Sequence, residues 1–455
     1  MKQRWIRPTL TPHRASGLNK FGAVRRDAPI EAIDNVPVSR LMADYGSPLF
    51  VFSERRLRDN ARRLHRAFST RYPKVIHGWS YKTNYLGAIC NLFHQEGSWA
   101  EVVSGFEYEK ARALGVPAHQ IIFNGPAKRE TELRRAVQEG ARIHVDHFDE
   151  LALLERITAD LDTPLKVGIR LNFETGYTEP WSRFGFHLES GQAMEAVLRI
   201  ARAPRLQLAG LHCHIGTFIT DTRAYAAQVR TLCSFMDALE EKTGATIDYL
   251  DIGGGFASRN ALQGVYLPPE EVVPSFDQYA EAICDALLAA TREREARGKG
   301  RPLLILESGR ALVDDAGYLL TSVIANKRLP DGRRGVVLDA GVNLLFTSFW
   351  YHHPVRATRR LDGVPEETVL YGPLCMNIDV VRSSVLLPPL AVGETLALTP
   401  AGAYNNTQWL QFIDYRPNVV MVHPDGRDSL IRAAEDLAAV TLNERMPGHL
   451  ATRPV

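Results

Sequence analysis

The sequence predicts an α/β fold: a (β/α)8 barrel of the TIM type followed by a mainly β C-terminal domain. Between Pro48 and Arg310, short apolar runs alternate with amphipathic segments, a pattern typical of parallel strands joined by helices. After Arg310, the apolar runs are short, often β-branched and separated by Gly, Pro and Asp, which favours a β domain. A doubly wound open sheet is the alternative. Eight units without a phosphate-binding fingerprint after the first strand favour the closed barrel.

The barrel portion contains eight candidate strands with helices between them. The predicted strands are Val75–Trp79, Trp99–Val103, Ile121–Asn124, Arg142–Val145, Lys166–Leu171, Leu208–His212, Tyr249–Ile252 and Leu303–Glu307. The clearest predicted helices are Leu86–Glu96, Phe106–Leu114, Glu130–Glu139, Phe148–Ala159, Gln192–Ala203 and Ala224–Lys242. Eight such units over this length are expected to close into a barrel.

The remainder of the chain has a different pattern of apolar residues, which predicts mainly strands. The predicted strands beyond the barrel are Gly317–Ile324, Gly335–Leu338, Glu367–Tyr371, Ser384–Leu387 and Val419–Val422. Helical periodicity is scarce there until Ile431–Val440. The first residues show little periodicity, and we expect them to pack on the β domain. The predicted domains are therefore an N-terminal segment (1–47), a barrel (48–310) and a C-terminal β domain (311–455).

The composition is that of an ordinary soluble enzyme. The formal net charge of +2 over 455 residues gives no indication of nucleic acid or a membrane surface as a partner. Five cysteines without pair spacing argue against a disulfide framework and fit a reducing compartment. The N-terminus lacks the apolar segment of a secretory signal, and no stretch approaches the length of a membrane span. We therefore expect a cytoplasmic protein.

Polar and glycine-containing motifs recur at the C-terminal ends of the predicted strands. Barrel enzymes build their active sites at this end. In strand order, the motifs are Ser80–Asn84, Glu101–Gly105, Asn124–Pro126, Arg170–Asn172, His212–Thr217, Asp251–Phe256 and Glu307–Arg310. Chance would not place so many polar clusters on one rim, so the sequence predicts an active site there.

Several of these residues suit a carbonyl cofactor that carries a phosphate. Lys82 follows a buried strand, where it is either a surface cap or the Schiff-base lysine of a cofactor such as pyridoxal phosphate. The glycines at 253–255 let backbone N–H groups approach a phosphate, and Arg310 adds a charged donor. Glu307 is either a strand-end ion-pair partner or an acid that keeps a pyridine nitrogen protonated. His214 is either a buried structural histidine or a ring that stacks on the cofactor.

Taken together, these motifs resemble those of the alanine-racemase-fold (fold-type III) decarboxylases that use pyridoxal 5'-phosphate, such as diaminopimelate and ornithine decarboxylases. The resemblance extends from about Pro48 to Pro417. It implies that Lys82 is the Schiff-base lysine, that His214 stacks on the cofactor ring and that Glu307 pairs with the pyridine nitrogen. The phosphate-binding residues it implies are Thr217, Gly254, Gly255, Arg310 and Tyr404. It also implies a homodimer whose active sites are shared between subunits.

The second domain both matches the resemblance and departs from it. Cys375 matches the family's catalytic cysteine, which comes from the neighbouring subunit and returns a proton to the α-carbon. The next residue is Met376, where diaminopimelate decarboxylases have an acid for the distal amine. Thr347 stands where they have an arginine for the distal carboxylate, whereas Tyr351 matches a family tyrosine. We assign Thr347, Tyr351 and Met376 to the substrate site.

The resemblance implies a carboxy-lyase that removes the α-carboxylate of an amino acid. The catalytic residues implied are Lys82, Cys375, His214 and Glu307. Because the distal contacts differ, we predict an amino acid or conjugate from a specialised pathway of the siderophore or antibiotic type, with free diaminopimelate a poor substrate. Arg183 or Lys128 would compensate if either reached the pocket. Diaminopimelate decarboxylation in lysine biosynthesis is one alternative. Racemisation is another, although racemases of this fold favour arginine at the pyridine nitrogen.

Overall fold

The computed structural model describes residues 28–265 and 268–451. Its strands are β1 (Ala32–Ile33), β2 (Val36–Pro37), β3 (Leu49–Ser53), β4 (Val75–Ser80), β5 (Trp99–Val102), β6 (Ile121–Phe123), β7 (Arg142–Val145), β8 (Leu165–Asn172), β9 (Phe186–His187), β10 (Leu206–His212), β11 (Tyr249–Asp251), β12 (Leu303–Leu306), β13 (Gly317–Arg328), β14 (Arg334–Leu338), β15 (Val355–Ala357), β16 (Glu366–Tyr371), β17 (Val380–Leu387), β18 (Thr395–Leu398), β19 (Val419–Val422) and β20 (Asp428–Arg432). Its α-helices are α1 (Val38–Tyr45), α2 (Glu54–Ser69), α3 (Gly87–Gln95), α4 (Gly105–Ala113), α5 (Glu130–Glu139), α6 (Phe148–Ile157), α7 (Gln192–Arg202), α8 (Thr222–Thr243), α9 (Pro269–Val272), α10 (Phe276–Ala290), α11 (Arg292–Ala296), α12 (Arg310–Val313) and α13 (Leu437–Thr441). Short 3₁₀ helices lie at Tyr81–Thr83, Ala118–Gln120, Asp314–Ala316, Phe346–Phe349 and Gly448–Leu450.

Eight parallel strands close into a barrel, which confirms the predicted fold class. Their order is β4, β5, β6, β7, β8, β10, β11 and β12, and the pairing of β12 with β4 completes the ring. Each consecutive pair is joined by at least one α-helix, as parallel pairing requires. The longer helices cover the strands because they bury apolar stripes. On α8, for example, Leu232, Met236 and Leu239 are buried.

Side chains at the predicted turns define where several barrel helices begin. The Ser53 hydroxyl accepts a hydrogen bond from the Arg56 N–H at 3.0 Å and starts α2. Ser104 caps α4 in the same way, and Ser275 caps α10. Such caps satisfy N–H groups that have no partner within the helix. No helix among the described residues is both long and apolar enough to cross a membrane.

The structure contains a second sheet of nine strands, as the short, often β-branched apolar runs after Arg310 predict. Its main path is β17-β16-β14-β13-β3-β19-β20, with β18 on β13 and β15 on β18. Strand β3 precedes the barrel in the chain, yet it pairs antiparallel with β13 and parallel with β19. All five of its residues are buried, because it is an interior strand of this sheet. Residues 49–53 thus belong to the second sheet, while the division of the chain at residues 47 and 310 stays a prediction.

The prediction of a helix from the periodicity of Ile431–Val440 is wrong over most of that stretch. Ile431 lies in β20, which pairs antiparallel with β19. The start of this segment, up to Arg432, is held in the strand by its pairing with β19, and that pairing prevails over weak helical periodicity. Only the short helix α13 follows, and the Asp436 side chain caps it by accepting the Ala439 N–H at 2.8 Å.

The second domain holds the loop that carries Lys82. The Thr407 hydroxyl donates to the Lys82 carbonyl oxygen at 2.9 Å, and the Tyr404 N–H donates to the Thr83 carbonyl oxygen at 2.8 Å. The Asn84 side chain donates to the Gly402 carbonyl oxygen at 3.1 Å. The backbone around the lysine is therefore positioned by both domains.

Lys128 is buried beneath the barrel rim and does not reach a substrate pocket. Its ammonium donates to the Glu150 carboxylate at 2.7 Å and to the carbonyl oxygens of Gly125 and His144 at 2.7 and 2.9 Å. The side chain is 0% exposed. All three of its N–H donors are used within the protein. Lys128 is therefore a structural residue.

We expect Lys128→Met to lower the free energy of unfolding by about 3–5 kcal/mol, because it leaves the Glu150 carboxylate buried without its counter-ion. Thermal and urea unfolding measure the loss. Lys166→Met is the matched control, since Lys166 pairs with Asp248 at 2.8 Å but both side chains are largely exposed. Its expected cost is below about 1 kcal/mol. Equal losses in the two variants would contradict the prediction.

Candidate active site

Lys82 and Glu101 form an ion pair at the ends of neighbouring barrel strands. The register pairs Ser80 of β4 with Glu101 of β5, which places the carboxylate beside the lysine that follows β4. Lys82 Nζ and Ser80 Oγ each donate to Glu101 Oε2 at 2.6 Å. The Glu101 side chain is 1% exposed and that of Lys82 is 40% exposed, so the ammonium faces the barrel mouth. Burial by itself lowers the pKa of Lys82, but the negative charges of Glu101 and Glu307 outweigh it and raise the pKa above its ordinary value.

Glu307 follows β12 and belongs to the same polar cluster. The side-chain amide of Asn124 donates one hydrogen bond to Glu307 and another to Glu101, the latter at 3.1 Å. His212 Nε2 lies 3.5 Å from Glu307 Oε2. Burial and the negative charge of Glu307 raise the pKa of Asp251 well above its ordinary value. One amide therefore bridges two carboxylates, and a third carboxyl group lies beside them.

The loop after β11 requires glycines because neighbouring segments pack directly against its backbone. Gly253 and Gly255 have φ values of +67° and +92°, which favour glycine. A Cβ at Gly254 would lie 2.5 Å from the Glu307 carbonyl oxygen, and one at Gly255 would collide with the Gly216 carbonyl. Backbone N–H groups in such a loop can approach a phosphate closely.

His214 is a half-buried imidazole against this glycine loop. Its Nδ1 accepts a hydrogen bond from the Gly254 N–H at 3.1 Å. Burial lowers the pKa of His214 to about 3, and the positive charges of Arg170 and Lys82 act in the same direction. The Trp181 ring lies edge-on to it, with the ring centroids 5.3 Å apart. A neutral, flat ring is therefore held at the mouth, as stacking on a cofactor requires.

Arg310 begins α12 and lies among aromatic rings. Its guanidinium carbon is 4.6 Å from the ring centroid of Tyr404, 5.1 Å from that of Tyr351 and 6.0 Å from that of Phe218. Thr217, next to Phe218, is exposed. Arg310 is buried, and its Nη1 has no hydrogen-bond partner among the described residues. A buried charged donor without an acceptor is costly, so this position fits an anionic ligand such as a phosphate group.

Cys375 and Met376 lie on a loop that Asp379 holds in place. The Asp379 carboxylate accepts the N–H groups of Leu374 and Val342, each at 2.8 Å, and so joins two segments of the second domain. Burial raises the pKa of Asp379 above its ordinary value. Cys375 is exposed and Met376 is half-buried. The loop therefore presents the Cys375 thiol at the surface of the subunit.

Thr347 uses its polar groups within the protein. Its hydroxyl lies 2.9 Å from Asn405 Oδ1 and 2.8 Å from His353 Nε2, and its N–H donates to Asn405 Oδ1 at 3.2 Å. The side chain is buried. The role of Thr347 in substrate binding stays a prediction, and a substrate contact through its hydroxyl would have to compete with these bonds.

The sequence motifs contain Glu101 and Asn124, but sequence reasoning did not identify them as partners of Lys82 and Glu307. The signal that could have identified Glu101 is an acidic residue at the end of the strand that follows the lysine-bearing strand. Which side chains meet depends on strand register. In this barrel the register pairs Ser80 with Glu101 and Val102 with Phe123, the residue before Asn124.

These features fit one class of cofactor. Pyridoxal phosphate needs a lysine for its aldehyde, an anion site for its phosphate and a group that pairs with its ring nitrogen. The mouth of the barrel offers Lys82, the glycine loop with Arg310, and the carboxylate of Glu307. The fold and the site therefore define a barrel enzyme that depends on pyridoxal phosphate.

Comparison with known proteins identifies the family. A family model described as pyridoxal-dependent decarboxylase, pyridoxal binding domain, matches residues 58–314. The diaminopimelate decarboxylase of Methanothermobacter thermautotrophicus is 32% identical over 425 residues, which cover 91% of this chain and 95% of that protein. The enzyme of the same name from Methanocaldococcus jannaschii is 30% identical over 437 residues, covering 92% and 95%. A crystal structure of M. jannaschii diaminopimelate decarboxylase with L-lysine is 29% identical, with a TM-score of 0.82 and coverage of 92% and 97%.

The chain therefore belongs to the pyridoxal-dependent decarboxylases. It is an amino-acid decarboxylase whose cofactor is pyridoxal 5'-phosphate, which confirms the expectation from the sequence. On the substrate, these relatives favour diaminopimelate decarboxylation, the alternative, over the specialised pathway predicted first.

Proposed function

We propose that this chain removes the α-carboxylate of an amino acid at the barrel mouth, with Lys82 as the residue that holds the cofactor. The observation that carries the proposal is the 2.6 Å contact between Lys82 and Glu101, which Asn124 connects to Glu307. When bound, pyridoxal phosphate supplies an electron sink for the electron pair left behind by carbon dioxide. The Lys82 nitrogen must lose its proton before it acts as a nucleophile, and Glu101 Oε2 is placed to accept that proton.

The other residues of the barrel mouth would bind and orient the cofactor. Glu307 would hold the pyridine nitrogen, and His214 would pack its neutral ring on the cofactor. The phosphate would be held by Thr217, Gly254, Gly255, Arg310 and Tyr404. Support for these assignments comes from the unpaired Arg310 donor and from the Tyr404 ring, whose centroid lies 4.6 Å from the Arg310 guanidinium carbon. A carboxylate at the position of Glu307, where racemases of this fold favour arginine, supports decarboxylation over racemisation.

We propose that Cys375 acts in the active site of a second copy of the chain and donates its thiol proton to the α-carbon of the product. Its exposure on the Asp379-held loop supports a site completed by dimerisation. The functional unit would then be a homodimer with two shared active sites.

The first candidate substrate is meso-diaminopimelate, because relatives named diaminopimelate decarboxylase align with more than nine-tenths of the chain. A second candidate is an amino acid or conjugate with a bulkier or less charged distal end. A specific observation favours it: Met376 and the buried Thr347 stand where diaminopimelate decarboxylases have an acid and an arginine. A distal carboxylate and ammonium are costly to bury without partners.

We expect borohydride reduction of the protein loaded with pyridoxal phosphate to attach the cofactor to Lys82, because its nitrogen lies at the barrel mouth, 2.6 Å from Glu101, which Asn124 connects to Glu307. Peptide mapping by mass spectrometry locates the label. Lys166→Met serves as a control that removes a different, largely exposed lysine and should keep the label. A label on any lysine other than Lys82 refutes the assignment.

We expect mixtures of Lys82→Ala and Cys375→Ala chains, each inactive alone, to regain activity in about a quarter of their sites after statistical subunit exchange. Half of the dimers are then mixed, and each mixed dimer has one intact site. Carbon dioxide release measures activity, and native mass spectrometry of tagged chains verifies exchange. Mixed dimers without activity would rule out shared sites.

We expect diaminopimelate to be decarboxylated, and Met376→Glu to raise kcat/KM for it by about tenfold or more, because a hydrogen bond between charged groups replaces a thioether. Asn377→Glu is the matched control, which adds the same charge one residue away and should give less than a twofold change. Steady-state carbon dioxide release is compared with that from larger amino-acid conjugates. A conjugate preferred over diaminopimelate, with no gain in Met376→Glu, favours the second candidate, and no release from any α-amino acid refutes the proposed function.

A further inference from the structure

Asn124 stands at the centre of a buried hydrogen-bond chain. Its Nδ2 atom donates to both Glu101 and Glu307. The side-chain amide has two N–H bonds and one oxygen, so two carboxylates on the nitrogen side use its donors completely. The reversed orientation would point the amide oxygen at two acceptors. The amide of Asn124 therefore has one stable orientation.

His144 and Tyr249 continue the chain in a single direction. Asn124 Oδ1 lies 2.7 Å from His144 Nδ1, so that ring nitrogen must carry the proton and donate. Burial lowers the pKa of His144 well below its ordinary value, which keeps the ring neutral and leaves Nε2 as an acceptor. The Tyr249 hydroxyl lies 3.0 Å from that nitrogen and donates to it. Donation thus runs from Tyr249 through His144 and Asn124 to the two glutamates.

The barrel strands make room for this chain. A Cβ at Gly210 would overlap the Tyr249 ring, and one at Gly168 would lie 2.5 Å from the Tyr249 hydroxyl oxygen and 2.6 Å from His144 Cδ2. Both glycines lie within paired strands, where glycine weakens the strand unless another group needs the space. The interior of this barrel is therefore shaped around His144 and Tyr249, in addition to its aliphatic packing.

We propose that Asn124 is a positioning residue that, held by His144 and Tyr249, keeps Glu101 on Lys82 and Glu307 on the pyridine nitrogen of the cofactor. The second of these contacts rests on the function proposed above. Two neighbouring buried carboxylates repel each other, and a shared hydrogen-bond donor between them offsets that repulsion. Asn124 gives each carboxylate one N–H bond, which leaves the remaining lone pairs of each free for its own partner.

Loss of the amide changes how the two carboxylates are held at the site. Without the N–H bonds, neither carboxylate is held in its orientation by the amide, and Glu307 is expected to turn away from the ring nitrogen. Glu307 then pairs more weakly with a protonated ring nitrogen, and the electron sink is weakened. Binding of the phosphate is expected to change little, because Asn124 donates to Glu101 and Glu307 and not to the glycine loop or Arg310.

The test is ¹⁵N NMR of the holoenzyme loaded with pyridoxal phosphate labelled at the ring nitrogen. We expect a protonated ring nitrogen in the wild type, and a resonance displaced toward neutral pyridine in Asn124→Ala. The same variant should lose about tenfold in kcat, with KM changed less than twofold, because a hydrogen bond to a charged group is lost. Tyr249→Phe should displace the resonance in the same direction by a smaller amount.

Asn60→Ala is the matched control. Asn60 is also a buried asparagine whose Nδ2 donates to a carboxylate, that of Asp315 at 2.7 Å, and to the Leu312 carbonyl oxygen at 3.1 Å. We expect its variant to keep the wild-type resonance even if its thermal stability falls, since it contacts a different carboxylate.

An Asn124→Ala holoenzyme with the wild-type resonance overturns the inference and leaves the proposed function intact. If Asn124→Ala does not fold, Tyr249→Phe decides in its place, and an unchanged resonance there also overturns the inference. A Glu307→Gln holoenzyme with the wild-type resonance refutes the role proposed for Glu307, and the inference fails with it.

Discussion

The Lys82 ammonium rests on a carboxylate, Glu101, that is almost wholly removed from water. An ionised carboxylate is costly to bury, and what makes this burial tolerable is the set of donors around it: the ammonium, the Ser80 hydroxyl and the Asn124 amide. None of these donors comes from the same strand-to-helix turn as Glu101. Parallel pairing of β4, β5 and β6 brings them together, so the chemistry of the lysine depends on the register of three neighbouring strands.

The barrel alone does not hold this arrangement. The carbonyl oxygens of Lys82 and Thr83 accept hydrogen bonds from Thr407 and Tyr404 of the second domain. That domain in turn includes β3, which comes from the chain segment just before the barrel. The loop that carries the lysine is thus fixed from both sides, and the two domains behave as one support for it. Tyr404 also places its ring against Arg310, so the same contact organises the anion site.

Sequence reasoning succeeded where a local pattern decides the structure. Apolar runs such as Val75–Trp79 and helices such as Glu130–Glu139 lie where the sequence predicts them, and the strand-end motifs share one rim because parallel strands point the same way. It failed where distant segments decide. The strand pairing of β20 with β19 prevails over the helical periodicity around Ile431. Lys128 forms a buried ion pair with Glu150 instead of reaching the substrate pocket. The pairing of Glu101 with Lys82 depends on strand register. Each of these is set by a partner far along the chain, which a single sequence does not display.

The residues suited to the cofactor and the residues assigned to substrate specificity lie in different parts of the structure. Most of the groups suited to the cofactor lie at the ends of barrel strands, where the backbone is rigid and fixes their positions. The residues assigned to the distal end of the substrate lie in the second domain. Met376 is on the loop whose backbone Asp379 fixes, and Thr347 is in the 3₁₀ helix Phe346–Phe349. Met376 carries no charge, and the Thr347 hydroxyl is bonded to Asn405. Any charged distal group must therefore find its partner elsewhere in the mouth or in a second subunit, so a loop substitution can change the substrate without disturbing the decarboxylation site.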